Sequence, residues 1–298
     1  MPDPIARGRF VWHELVTADL NAAKTFYGKT LGWTAQAYPG NPDYHLWTSK
    51  GGQRAGLMLL PVEARARGAG PHWMTYISTP DVDGTTKQAE QLGGRVMMAP
   101  QDIPTVGRFA VLKDPQTAVF TVFNPMGPSE EPSGPPPIGD FSWHELLTTD
   151  LRGAWRFYQA LFGWDLMQSM DMGNAGTYEI FGRKGNMLGG MYNLPPGFPA
   201  PHWLPYARVA NVDTVAGLIP DAGGTVFMQP MDVPGGDRVA GFADPQGARL
   251  AVHALAAKTP AKAAKRKPAK KKAARKKAAK QKPVRRKAKP TRARRRRR

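Results

Sequence analysis

Residues 12–33, WHELVTADLNAAKTFYGKTLGW, return as residues 143–164, WHELLTTDLRGAWRFYQALFGW, with twelve of 22 positions identical at a constant offset of 131. The match continues at an offset of 130. Pro71, His72 and Trp73 align with Pro201, His202 and Trp203, Tyr76 with Tyr206, and Gly93-Gly94 with Gly223-Gly224. Further on, Asp102, Arg108 and Asp114-Pro115-Gln116 align with Asp232, Arg238 and Asp244-Pro245-Gln246. The period is too long for a stacked solenoid, so the chain reads as a duplicated domain of about 120 residues. The expected bounds are 8–125 for the first copy and 140–255 for the second. Residues 126–139 between them are rich in proline, which lacks a backbone donor and favours extended polyproline II, so they read as a semi-rigid linker.

The net charge of +19 on 298 residues is unevenly spread. Residues 256–298 hold 23 Lys and Arg and no acid, which leaves 42 − 23 = 19 basic residues against 23 acidic ones elsewhere. A mildly acidic globular body therefore carries a basic tail, and the two need separate explanations. With no cysteine, disulfides, thiolate zinc sites and cysteine nucleophiles are excluded. No apolar run reaches the length of a membrane span, so no membrane insertion is expected and the cytoplasm is the expected compartment.

Each copy shows the same order of elements. Phe10 to Thr17 is a β-rich run. Asp19 is placed to cap a helix whose apolar residues Leu20, Ala23, Phe26 and Tyr27 keep helical spacing, with Gly32 at its stop. Three strands follow, over Trp33 to Tyr38, Tyr44 to Thr48 and Ala55 to Leu60. The order then repeats: a strand from Trp73 to Ser78, a helix from Asp83 to Leu92, and strands at Val96-Met97, Phe109 to Leu112 and Val119 to Phe123. The scheme is βαβββ twice per copy, an α+β fold. Pro220 is expected to end or kink the corresponding helix of the second copy.

A βαβββ pair with Asp19-Leu20, Ala23, Phe26-Tyr27 and Gly32-Trp33 early and Asp114-Pro115 late resembles the vicinal oxygen chelate superfamily. The second copy matches at Asp150-Leu151, Ala154, Phe157-Tyr158, Gly163-Trp164 and Asp244-Pro245-Gln246-Gly247. That superfamily includes glyoxalase I, extradiol dioxygenases and the bleomycin- and fosfomycin-resistance proteins, and the chain is similar to its tandem glyoxalase-like branch. The resemblance implies two cupped sheets and a small-molecule ligand, with glyoxalase-like lyase, isomerase or hydroxylase chemistry as one outcome and plain binding as another. One fold hosts many functions, so the resemblance speaks for the fold more than for the reaction.

Metal-dependent relatives place His or Glu on strands lining the cup. By count from the landmark aspartates, those positions fall near Trp12, Met58, Thr75 and Thr121. In the second copy they fall near Trp143, Pro205 and Ala251 and around Met187 to Gly189. A divalent cation wants imidazole or carboxylate, so no cofactor is expected there, and a metal remains the alternative. His13-Glu14 and His144-Glu145 do not complete a helical H-E-x-x-H motif, because Thr17 and Thr148 stand in the fifth position.

Other candidates recur in both copies. Glu14 and Glu145, each between apolar neighbours on the first strand, fit a general base with a raised pKa or a structural carboxylate equally well. His72 and His202 fit a hydrogen-bond donor to substrate or a bonded strand-start residue. Trp73 and Trp203 are expected to share a face with the vacant ligand position and to wall a pocket, with core packing as the alternative. Tyr76 and Tyr206, of opposite parity, are expected under the helices. Arg108 and Arg238 fit an anionic substrate or a surface ion pair.

The tail has its own reading. Its bases include Lys270, Lys271, Lys272, Arg275, Lys276, Lys277, Arg285 and Arg286, and it ends in Arg294, Arg295, Arg296, Arg297 and Arg298. Such a polycation without aromatics is expected to be disordered alone and to bind nucleic acid without sequence preference, and so to associate with the nucleoid. The duplication within one chain supplies the module pairing that a dimer would otherwise give, so a monomer is expected.

Overall fold

Asp19 and Asp150 open the first helix of each copy, and Gly32 and Gly163 close it. The Asp19 carboxylate accepts hydrogen bonds from the Asn21 and Ala22 amides, and that of Asp150 from the Gly153 amide. Gly32 and Gly163 both take φ 68°, the left-handed turn at which a Cβ is strained. The computed structural model describes residues 7–50, 52–127, 134–198 and 200–256. Part of the linker and the bases assigned to nucleic-acid contact lie outside the described residues.

In the first copy the elements are β1 (Phe10–Thr17), α1 (Leu20–Leu31), β2 (Thr34–Tyr38), β3 (Asn41–Ser49), β4 (Gly52–Leu59) and the one-turn α2 (Val62–Ala66). They continue with β5 (His72–Ser78), α3 (Val82–Gln91), β6 (Arg95–Ile103), β7 (Gly107–Lys113) and β8 (Val119–Pro125). In the second copy they are β9 (Phe141–Thr148), α4 (Leu151–Phe162), β10 (Asp165–Asp171), β11 (Thr177–Arg183) and β12 (Asn186–Asn193). β13 (His202–Arg208), α5 (Val212–Asp221), β14 (Thr225–Asp232), β15 (Arg238–Ala243) and β16 (Arg249–Ala254) complete it. The expected α+β scheme is present. Among the described residues α2 and a 3-10 turn over Gly173–Ala175 are additional, and Pro220 sits in the last turn of α5, which ends one residue later.

Each copy forms one eight-stranded mixed sheet, ordered β2-β3-β4-β1-β5-β8-β7-β6 and β10-β11-β12-β9-β13-β16-β15-β14. The first strand of each module pairs in parallel with the last, as β1 does with β4 and β5 with β8. The two first strands, β1 and β5, join the modules antiparallel at the centre. Among the described residues, one face of each sheet carries helices and the other does not.

The helix-bearing faces do not close on their own copy. One core joins Leu15, Phe26, Tyr27, Trp33 and Trp73 of the first copy to Val212, Ile219, Phe242, Leu250 and Val252 of the second. The other joins Ile77, Leu112, Phe120 and Val122 to Leu146, Phe157, Tyr158, Trp164 and Trp203. A hydrogen-bonded relay crosses each core. The Trp73 indole donates to the Tyr27 hydroxyl at 2.9 Å, which donates to the Asp244 carboxylate at 3.2 Å. Trp203, Tyr158 and Asp114 repeat it at 3.0 and 3.0 Å. The Phe-Tyr and Asp-Pro signatures of one copy are thus completed by those of the other.

Between the two sheets His13 meets His144, with Nε2 to Nε2 at 2.9 Å. Phe141 stacks on His13 and Phe10 on His144, with centroids 3.7 and 3.6 Å apart. His144 Nδ1 lies 3.1 Å from the Leu188 carbonyl, which can only accept, so Nδ1 carries the proton. Its Nε2 therefore accepts, and His13 Nε2–H donates. Burial is the main cause that lowers both rings, His13 well below its ordinary 6.5 and His144 to about 3. The unfolded chain then binds protons near 6.5 that the folded chain refuses, so this contribution is complete above about pH 6.5 and lost progressively as pH falls towards 3. Urea unfolding at pH 7 and pH 5 is expected to show a steeper loss for the native chain than for the His13→Gln, His144→Gln double variant. The extra loss between the two pH values should come to about 2 kcal/mol per ring. Equal slopes would show that the pair does not titrate this way.

Candidate functional site

On β1 the alternation of a strand puts His13 and Leu15 against the other copy and Trp12 and Glu14 on the helix-free face. β9 does the same with His144 and Leu146 against Trp143 and Glu145. Cross-strand pairing sets Tyr76 opposite Trp12, Met74 opposite Glu14, and Leu204 opposite Glu145. Each helix-free face therefore has a carboxylate at its centre.

Tyrosines hold both carboxylates. Tyr76 donates to Glu14 Oε2 at 2.7 Å and Tyr44 also bonds Glu14, while the Trp12 indole donates to Tyr44 at 3.3 Å. Around Glu145, Tyr178 donates to Oε1 at 2.7 Å, Tyr206 donates to Oε2 at 2.6 Å, and Trp143 donates to Tyr178 at 3.0 Å. Gly56 and Gly190 make the approach possible, because a Cβ at either would collide with the Tyr44 hydroxyl or the Tyr178 ring. Burial raises the pKa of both carboxylates above the ordinary 4.5, against the opposing pull of the tyrosine hydrogen bonds. A carboxylate oxygen that accepts one such bond keeps a further lone pair, so each cluster can still take up a proton or accept from a ligand.

The two faces are not equivalent. Glu14 is only 4% exposed, whereas Glu145 is half-buried. Around Glu145 an apolar cluster combines Leu147, Leu204, Tyr206, Val239 and Ala251 with the partly exposed Trp143, Tyr192, Phe198, Phe227 and Met228. Phe198, just before β13, meets Phe227 of the outermost strand β14 with centroids 5.9 Å apart.

Several positions expected from sequence differ. Trp73 and Trp203 do not wall the cup; they are buried in the cores, donating to Tyr27 and Tyr158. Tyr76 and Tyr206 are not under the helices but bond the central carboxylates. Met74 and Tyr76, not Thr75, face the cup, one residue away from the facing that the sequence suggests. Arg108 and Arg238 follow the ion-pair reading. Each grips one aspartate bidentately, Asp83 and Asp213, and reaches a second, Asp102 and Asp232, at the surface. His72 and His202 bond the Gly70 and Ala200 carbonyls through Nδ1 at 2.7 and 2.8 Å.

The donor set does not fit a divalent cation. Trp12, Met58 and Thr121 on one face and Trp143 and Ala251 on the other offer no imidazole or carboxylate. Thr75 and Pro205 point the other way, paired with His13 and His144. Among the described residues no three His, Cys, Asp or Glu side chains come together.

A groove of about 250 Å³ lies elsewhere, lined by Thr30, Leu31, Trp33, Ile138 and Val215. At the equivalent positions of the other copy Arg7 bonds Thr85 and the Leu161 carbonyl. It holds no carboxylate, so the chemistry points to the Glu145 face. If that carboxylate is held as described, its titration followed by carboxyl carbon resonance will lie above 4.5. Tyr206→Phe, which removes a bond that favours the charged form, should raise it further; a fall would contradict the arrangement.

Comparison with known proteins agrees with the fold. Residues 9–120 match the Glyoxalase/Bleomycin resistance protein/Dioxygenase superfamily. The chain is 33% identical over 248 residues to "Putative glyoxylase CFP32" of Mycobacterium tuberculosis, covering 81% of this chain and 92% of that protein. It is 32% identical over 274 residues to "Anthracycline biosynthesis protein DnrV" of Streptomyces peucetius, covering 87% and 97%. Among solved structures it is similar in fold to an extradiol ring-cleaving dioxygenase from B. fuscum (TM-score 0.60, 17% identity, 86% of this chain and 74% of that one). The Mn(II)-bound glyoxalase from Novosphingobium aromaticivorans is similar too (TM-score 0.55, 14% identity, 84% and 82%). By sequence and by architecture the chain belongs to the Glyoxalase/Bleomycin resistance protein/Dioxygenase superfamily.

Proposed function

We propose that the helix-free face of the second sheet binds a flat, largely apolar small molecule and presents Glu145 to a hydroxyl or acidic C–H group on it, with no divalent ion. The observation that carries this is the half-buried carboxylate, held by Tyr178 and Tyr206 amid Trp143, Tyr192, Phe198 and Phe227. Aromatic walls give a planar ligand contact area, and a few convergent polar groups fix its orientation. Desolvation brings the carboxylate nearer to the proton affinity that acid–base exchange needs, whether the outcome is a glyoxalase-like lyase or hydroxylase step or binding alone. The relative named for anthracycline biosynthesis supports a polycyclic aromatic ligand.

Titration calorimetry with 1-hydroxyanthraquinone is expected to give one site per chain. Phe227→Ala should weaken it roughly tenfold through loss of an aromatic contact, and Phe123→Ala on the first sheet should leave it unchanged. Equal sites on both sheets, or no binding, would count against the reading.

The tail supports a second, separate activity. Its 23 Lys and Arg without an acid favour sequence-independent contact with nucleic acid, tethering the small-molecule module to the nucleoid. Affinity for duplex DNA is expected to fall by at least about a thousandfold between about 50 and about 200 mM salt, and to vanish on deletion of residues 256–298. Salt-insensitive binding, or binding by the tailless chain, would contradict it.

A further inference from the structure

Among the described residues, no carboxylate neutralises a cation on the rim of the second cup. Arg249, two residues before Ala251 on β16, shares the helix-free face with Tyr206, the residue paired with Ala251. Its guanidinium lies over the rings of Phe198 and Phe227, 4.9 and 5.1 Å from their centroids. Among the described residues it has no carboxylate partner and no hydrogen bond. The two rings stand at 89° to each other, and contact with them does not use up the five N–H donors of a guanidinium, two of which together meet a carboxylate bidentately.

His202 stands beside it, stacked on Phe198 with centroids 6.1 Å apart. Its Nδ1–H donates to the Ala200 carbonyl, so in the neutral ring Nε2 is an acceptor, and that atom is buried without a partner. An orphan acceptor beside an unpaired cation asks for a ligand with both an acidic group and a hydroxyl. The first sheet lacks this arrangement: at the positions of Phe198, Phe227 and Arg249 it has Gly68, Met97 and Val119.

We infer that the second cup selects planar aromatic acids, with the ligand carboxylate on the Arg249 edge and a neighbouring hydroxyl donating to His202 Nε2. This rests on the proposal that the same face binds a flat molecule, and it makes Arg249 the residue that decides between charged and neutral ligands.

The test compares anthraquinone-2-carboxylate with its neutral isostere anthraquinone-2-carboxamide on the full chain by titration calorimetry. The native chain is expected to bind the carboxylate at least tenfold more tightly. Arg249→Met, which keeps the stem against the two phenyl rings, should abolish that preference while leaving carboxamide affinity within twofold. Arg249→Lys, which keeps the charge without the planar fork, should retain part of it, and a melting curve confirms that each variant folds. Equal affinities in the native chain, or a preference that survives Arg249→Met, would overturn the inference and leave the binding face intact. Failure of both probes to bind the native chain would overturn the binding reading and this inference with it.

Discussion

Two buried tyrosine–aspartate hydrogen bonds, Tyr27 to Asp244 and Tyr158 to Asp114, set the terms for the rest of the molecule. Each joins one copy's helix to the other's Asp-Pro turn and lies inside a core that neither copy could fill alone. Burial raises the proton affinity of the tyrosines first, and their carboxylate neighbours raise it further, so the hydroxyls stay neutral donors. Asp114 is itself raised, to about 6, by burial, against the Ala118 amide and Tyr158 hydroxyl that favour its charge. A buried carboxylate satisfied from several sides costs little, and the same carboxylate with its tyrosine removed is costly. The relays therefore favour one mutual orientation of the copies.

That orientation consumes both helix-bearing faces and leaves both helix-free faces available. Duplication then allows the two to diverge. The first keeps its carboxylate nearly closed off, with Tyr44 and Tyr76 as partners. The second exposes Glu145 in part and adds Phe198, Phe227 and Arg249, for which the first copy has no equivalent. One copy can thus serve as scaffold while the other acquires a site.

Local features were legible in the sequence because local physics makes them. The Asp caps, the glycine stops and the repeat itself gave the helices and the module order, and a carboxylate inside an apolar run marked Glu14 and Glu145. Facing was harder. β5 reads His-Trp-Met-Thr-Tyr-Ile-Ser, with large side chains on both faces and no alternation to set the phase, so Trp73 and Tyr76 exchanged roles. Register shifts between Phe10 and Trp12 and between Tyr206 and Ala207 remove the phase information further. The crossed cores were not legible, since a repeat does not say which copy fills which core. No recurrence marks Arg249, because Val119 stands at its position in the first copy.

Each copy depends on the other to fill its core, and isolating one copy tests this most directly. Residues 1–125 alone would expose Leu15, Phe26, Trp33, Ile77 and Phe120, which the intact chain buries completely or nearly so. Sedimentation equilibrium combined with urea unfolding should find this fragment either self-associated, with a second copy standing in for residues 140–255, or without a cooperative transition. A monomeric fragment that unfolds cooperatively with stability like that of the intact chain would contradict the account.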